Sequence, residues 1–200
     1  MKRINRVYLV RHGQINGYEN FPVYGHTEVD LTEIGILQMQ QVAERLRFAE
    51  IGAIYSSVLR RSAAGARLIA RYHDVLVHFL SELKEICFGD WEGLTLAEIR
   101  KNFPDELTKR QADLVNYQPP GEGESVGRFS ERIAKIYDRI LLEQEGKDIV
   151  IVAHGAVNRV ILCKALGLDM VNMFNIQQDY GCLNVIDYFT DSRVVKLVNG

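Results

Sequence analysis

Two short apolar runs, each ending in His-Gly, constrain this chain more than any other feature. Val7 to Gly13 reads Val-Tyr-Leu-Val-Arg-His-Gly, and Asp148 to Gly155 reads Asp-Ile-Val-Ile-Val-Ala-His-Gly. A strand-favouring apolar run that stops at a glycine reads as a buried strand ending in a tight turn. A single histidine at such a place is more often structural than chemical. Two strands that present the same pair are harder to dismiss: as neighbours they would bring His12 and His154 to one sheet edge. In open α/β sheets, the carboxyl edge of the strands is where ligands bind.

The sequence between them alternates strands and helices. Thr32 is placed to cap a helix through about Phe48, with Ile34, Leu37, Val42 and Leu46 as its apolar face. Ile51–Ser56 reads as a second strand running into an alanine-rich helix that opens around Ser57–Arg61, and Val75–Phe79 as a third strand. Ser125 is expected to cap a long helix whose core face is Phe129, Ile133, Ile136 and Ile140. The His154 strand follows, then a helix from about Ala156 to Leu166 and a terminal pair of strands near Cys182–Phe189 and Val194–Val198. This order predicts an α/β fold, a three-layer sandwich with a mainly parallel central sheet and helices on both faces. From Glu82 to Gly123 the pattern loosens, with short helices expected at Leu96–Phe103 and Asp105–Asn116. We read residues 1–200 as a single domain and 82–124 as a cap-like insertion over the sheet edge.

Composition narrows the function. Two hundred residues, 47% apolar and 25% charged, suit one domain with a sizeable core. A net charge of −2 gives no bulk field for nucleic acid or membrane, so any anion site must be assembled locally. The basic stretch Met1–Arg6 precedes only four apolar residues, too few for a signal-peptide core, and no run reaches membrane-spanning length. The expected location is therefore cytoplasmic. Cys87, Cys163 and Cys182 lack metal-type spacing and read as buried free thiols. His73 and His78 flank the third strand without a partner motif and read as structural or surface residues.

Arg11-His12-Gly13 after the first strand resembles the hallmark of the histidine phosphatase superfamily, also called the phosphoglycerate mutase-like fold, and the resemblance extends over nearly the whole chain. It implies that His12 accepts a phosphoryl group, a task suited to a neutral imidazole near pH 7. Attack on phosphorus spreads negative charge over three equatorial oxygens, so cations and hydrogen-bond donors matter more than covalent machinery. Arg11 offers a planar set of such donors. The family pattern Ser-x-Leu-x-Arg aligns with Ser57 and Leu59, placing the second phosphate-binding arginine at Arg61 and leaving Arg60 as a solvated helix-start residue. There the first helical turn would add backbone donors.

Leu83-x-Glu85, followed by Phe88-Gly89-x-Trp91-Glu92-Gly93, is similar to the family segment that carries the proton donor. Glu85 is thereby implied as general acid for the leaving group and later as the base that activates water. Glu82 and Glu92 are expected to be solvated, and Trp91 to brace the loop by packing. His154 resembles the family's second histidine, which donates to the transferred group, and the N–H groups of Gly155 and Ala156 are expected to assist. Tyr24-Gly25-His26-Thr27 resembles the substrate-rim loop, so Tyr24, Gly25 and His26 are expected at the rim. Ile15 stands where the family usually has threonine or serine, and Asn16 is expected to supply a polar group in its place. The other departures are Tyr18, Val58, Gly65 and one extra residue in Pro120–Ser125.

The implied activity is hydrolysis of a small phosphorylated metabolite through a phosphohistidine, with no metal or cofactor, by a monomer or homodimer. The compact segment between Gly93 and Ser125 favours hydrolysis over phosphoglycerate mutase-type transfer. His12, His154 and Glu85 could also be read as zinc ligands, but two arginines aimed at the same point would repel a divalent cation. A non-catalytic phosphate-binding module is disfavoured by retention of the full set of site residues. Within the family, size and rim loop are similar to α-ribazole phosphatases, which act on α-ribazole 5′-phosphate, and to small broad-specificity sugar-phosphate phosphatases.

Overall fold

The computed structural model describes residues 2–20 and 22–200; Met1, in the basic stretch, and Phe21, in the loop after Gly13, lie outside the described residues. The first strand, β1 (Arg3–Arg11), begins before the apolar run. Its polar start is stabilised by ion pairs, Arg3 with Asp148 at 3.0 Å and Arg6 with Asp187 at 2.6 Å. The remaining strands are β2 (Ile51–Ser57), β3 (Val77–Leu80), β4 (Asp148–Ala153), β5 (Leu183–Phe189) and β6 (Arg193–Leu197), in the sheet order β3-β2-β4-β1-β5-β6. The pairs β3/β2, β2/β4 and β4/β1 are parallel, whereas β5 and β6 close one side antiparallel. The sheet is thus mainly parallel, as expected for the α/β class.

The position of β4 in this order builds the site. Late in the sequence, it inserts between β1 and β2, so the two His-Gly strands lie side by side. Their register sets Val10 opposite Val152 and Arg11 opposite Ala153, and the His12 N–H donates to the Ala153 carbonyl at 3.0 Å.

Strand alternation divides the core into two layers. Val7, Leu9, Ile149 and Ile151 pack with α5 (Val126–Glu143) and α6 (Gly155–Leu166), while Val10, Val150 and Val152 pack with α1 (Glu33–Leu46) and α2 (Arg60–Ala70). The face expected for α5 is the one buried: Phe129, Ile133 and Ile140 are fully enclosed, and Ser125 accepts from the Arg128 N–H at 3.3 Å as the cap. Each such side chain contributes roughly 1.5–3 kcal/mol of burial free energy.

The face expected for α1 needs correction. Val42 and Leu46 are buried as expected, but Ile34 and Leu37 are 52% and 57% exposed, and Gly35, Met39 and Ala43 complete the buried face instead. Its first turn sets this rotation. Thr32 caps the helix and is itself tied to Gln14, and a Cβ on Gly35 would lie 2.0 Å from the Gln14 carbonyl oxygen. Gly13 faces the same contact, where a Cβ would meet the Gly35 carbonyl at 2.1 Å. Backbone against backbone leaves room for glycine only, and it turns Ile34 and Leu37 outward.

The third strand starts two residues later than expected and ends one later, at Leu80: Leu76 is left 80% exposed and pairing with β2 starts at Val77. In the loosely patterned segment, α3 (Leu96–Asn102) is fixed by a Thr95/Glu98 capping box, and α4 (Pro104–Ala112) stops short of Asn116. Trp91 stacks on Tyr117 beneath this segment with ring centroids 5.7 Å apart. Among the described residues, no helix is long and apolar enough to cross a membrane.

Candidate active site

The carboxyl ends of β1 and β4 deliver the two histidines to one point. Their ring centroids are 5.2 Å apart, edge to face, and both residues are buried. His12 Nδ1 is 2.8 Å from its own neighbour's carbonyl, Gly13 O. A carbonyl only accepts, so Nδ1 carries the proton and Nε2 is left with its lone pair. His154 Nε2 lies 3.4 Å from the Ser62 hydroxyl, while its Nδ1 is buried without a partner among the described residues.

Two guanidiniums flank this pair. Arg61, from the first turn of α2, is 1% exposed and donates to the carbonyls of Thr27 at 2.7 Å and Gly25 at 2.6 Å. No carboxylate among the described residues pairs with it. Burial lowers its pKa, opposed by the more distant negative charges of Glu85 and Glu28. Its neighbour Arg60 points outward to Glu28 and Asp30. Arg11 donates Nη1 to the Gln178 carbonyl at 2.5 Å, and its Nε is buried without a partner among the described residues. A set of cationic donors held by neutral carbonyls, with spare N–H capacity, suits an oxyanion.

Glu85 is buried beside them, with Oε1 accepting from the Ile86 N–H and Oε2 from the Ala156 N–H, both at 3.0 Å. This corrects one expectation: the Ala156 N–H at the start of α6 is committed to the carboxylate rather than free for an anion. The rim residues divide. Gly25 orients Arg61, and the His26 Nε2 lies 3.0 Å from the Glu85 carbonyl oxygen. Tyr24 packs by its hydroxyl against the Gly17 turn, and the Asn16 side chain is exposed and makes no hydrogen bond among the described residues.

Several residues at the site escape the sequence pattern. Glu92, expected to be solvated, accepts from the N–H groups of Gly25, His26, Thr27 and Phe88 and from the Thr27 hydroxyl. Burial works against its charge, but the bonds from Thr27, Phe88 and His26 outweigh that and hold its pKa below the ordinary value. It clamps the rim loop onto the loop that carries Glu85. Arg159, in α6 shortly after His154, donates to the Ile176 carbonyl at 2.8 Å; burial and the nearby Arg11 charge lower its pKa. Its only signal is its position in the first turns after His-Gly. Cys163 and Cys182 are buried free thiols, whereas Cys87 is half-buried. Among the described residues, no group of three or more His, Cys, Asp and Glu side chains is placed to hold a metal ion.

The electrostatics have a measurable consequence. Burial first, then the charges of Arg11 and Arg61, push the His12 pKa well below 6.5; burial, Arg61 and His12 do the same to His154. Below pH 6.5 the unfolded chain therefore binds protons that the folded chain refuses, and stability falls as pH drops toward the folded-state values. Thermal melts of the unliganded protein from pH 7 to pH 5 should show this loss, and His154→Gln should flatten the slope. An unchanged slope in the variant would show that the buried imidazole does not stay neutral.

A family model described as the histidine phosphatase superfamily (branch 1) matches residues 7–200. The adenosylcobalamin/α-ribazole phosphatase of Salmonella typhimurium is 28% identical over 194 residues, covering 97% of this chain and 96% of that protein. Among solved structures, the α-ribazole phosphatase of Shigella flexneri superposes with a TM-score of 0.89 at 26% identity, over 98% of this chain and 96% of the other. A phosphoserine phosphatase of Entamoeba histolytica, solved in complex with phosphoserine, gives 0.86 at 27% identity over 98% of each chain.

Proposed function

The chain belongs to branch 1 of the histidine phosphatase superfamily and is a phosphatase, and from that premise we propose how its residues divide the work and what it acts on. His12 Nε2 attacks phosphorus in line with the leaving oxygen and forms a phosphohistidine. Arg11, Arg61 and His154 hold the equatorial oxygens. Glu85 gives its proton to the departing alkoxide, then takes one from the water that attacks the phosphohistidine, regenerating free His12 and inorganic phosphate. The arginines supply the positive charge, so the reaction needs no metal, and full activity in EDTA is expected. Residues 82–124 act as a cap that carries Glu85 to the site.

The observation that carries this reading is the fixed His12 ring. Its Nδ1 is tied to the Gly13 carbonyl, and the charges of Arg11 and Arg61 lie close enough to disfavour its protonated form. A nucleophile kept neutral and unable to rotate meets the requirement for attack without a separate base.

For the substrate we propose α-ribazole 5′-phosphate, because the relatives over essentially the full length include α-ribazole phosphatases. The likeness to a phosphoserine phosphatase supports a second reading, a phosphatase of small phosphorylated metabolites more broadly. A panel of α-ribazole 5′-phosphate, phosphoserine, sugar phosphates and 3-phosphoglycerate separates these. At least a tenfold preference in kcat/KM for α-ribazole 5′-phosphate is expected, which is about 1.4 kcal/mol of differential transition-state binding. A flat profile would favour the broader reading, and phosphoryl transfer to 3-phosphoglycerate in place of water would favour a mutase.

A further inference from the structure

Arg11 is lightly anchored for a charged group at the site: no carboxylate among the described residues pairs with it, and the side chain donates to one carbonyl, Gln178 O. What lies against its flat face is Tyr180, with the guanidinium carbon 4.0 Å from the ring centroid. The same ring stands 5.7 Å from the His12 ring at 43°. The backbone that follows the tyrosine is joined to the strand end that carries both residues. The Gly181 N–H donates to the His12 carbonyl at 3.0 Å, and the Arg11 N–H donates to the Cys182 carbonyl at 3.1 Å. This partly exposed ring touches both a phosphate-binding arginine and the nucleophile, yet takes no part in the chemical steps.

The turn bearing Tyr180 is held from behind by the segment after β6. Asp179 N–H donates to Asn199 Oδ1 at 2.6 Å, and Asn199 Nδ2 donates back to the Asp179 carboxylate at 2.8 Å. The Asn199 N–H in turn donates to Asn184 Oδ1 at 2.9 Å, and Asn184 exchanges hydrogen bonds with Gln178 at 2.8 Å in both directions. A closed polar network of this kind leaves the turn little freedom.

Resting on the phosphatase reading, we propose that Tyr180 is a positioning residue: its ring, locked in place by the Asp179–Asn199 pair, holds the Arg11 guanidinium flat so that its N–H edge faces the phosphoryl oxygens. A long arginine side chain otherwise samples many rotamers and must be ordered when the anion arrives. Stacking on an aromatic face orders it in advance.

The test uses the full chain, with inorganic phosphate as the probe by calorimetry and p-nitrophenyl phosphate for turnover. Tyr180→Leu is expected to weaken phosphate binding and raise KM together by about fivefold, the scale of a desolvated cation–π contact, with the melting temperature little changed. Tyr180→Phe keeps the ring and should stay within about twofold of wild type. Asn199→Ala should move both readings in the same direction, and should add little in the Tyr180→Leu background, because the two act in series. Wild-type affinity in Tyr180→Leu, or a Phe variant as impaired as the Leu variant, would overturn the proposal. A wild-type chain that binds phosphate but hydrolyses no phosphomonoester would sink the enzymatic reading alone, and the affinity comparison would still decide the role of Tyr180.

Discussion

His12→Ala is expected to lower kcat on p-nitrophenyl phosphate by on the order of 10⁴-fold or more, the scale seen when a covalent nucleophile is removed. This imidazole combines a lone pair on Nε2 with a neutral state at the end of β1. Its Nδ1 proton is committed to Gly13 O at 2.8 Å, and burial beside Arg11 and Arg61 disfavours its charged form. His154 is not poised to take over, because its Nε2 sits beside the Ser62 hydroxyl. The variant should still bind inorganic phosphate, since Arg11, Arg61 and His154 remain. Mass spectrometry of rapidly quenched wild-type enzyme should find phosphate on His12 and on no other residue. Activity within tenfold of wild type in the alanine variant would remove the covalent mechanism.

Glu85→Gln should produce a loss that depends on the leaving group. For alkyl phosphates, whose alkoxides need a proton, a fall of about 10²–10⁴-fold in kcat is expected. For p-nitrophenyl phosphate, whose leaving group departs unprotonated, the first step should be nearly normal and the phosphohistidine should accumulate, because water is no longer activated. The substitution also carries a structural cost. Both carboxylate oxygens accept backbone N–H groups, from Ile86 and Ala156, and an amide has only one oxygen to offer. One buried donor then faces an NH₂ group, which costs roughly 1–3 kcal/mol of stability. A melting temperature lowered by that amount with an equal loss on both substrate types would argue that Glu85 is structural only.

Much of the architecture is legible because it depends on local pattern. The Ser125 cap and the spacing of Phe129, Ile133, Ile136 and Ile140 are properties of a helix read from its own residues, and α5 buries that face. The same holds for the two strands that stop at His-Gly. The face of α1 is only half legible: Val42 and Leu46 follow the apolar pattern, but the first turn is set by the contact of Gly35 with Gln14, across a loop whose course that pattern does not encode. Glu92 is hidden for the same reason. A carboxylate in a glycine-flanked loop looks solvated until the Gly25–Thr27 backbone is folded over it.

By itself, then, the order of residues determined that two strands would end in histidine, since strand-forming tendency and glycine turns act over a few neighbours. Resemblance to a short family motif pointed to Arg61 rather than Arg60, and Arg61 is the one that is buried. Only the tertiary structure decided that β4 slides between β1 and β2 in the register that sets the two imidazoles 5.2 Å apart, that one Glu85 oxygen accepts from the start of α6, and that Tyr180 backs Arg11. Those contacts join residues more than sixty positions apart, and their free energy depends on burial and backbone hydrogen bonding that exist only after the sheet has formed.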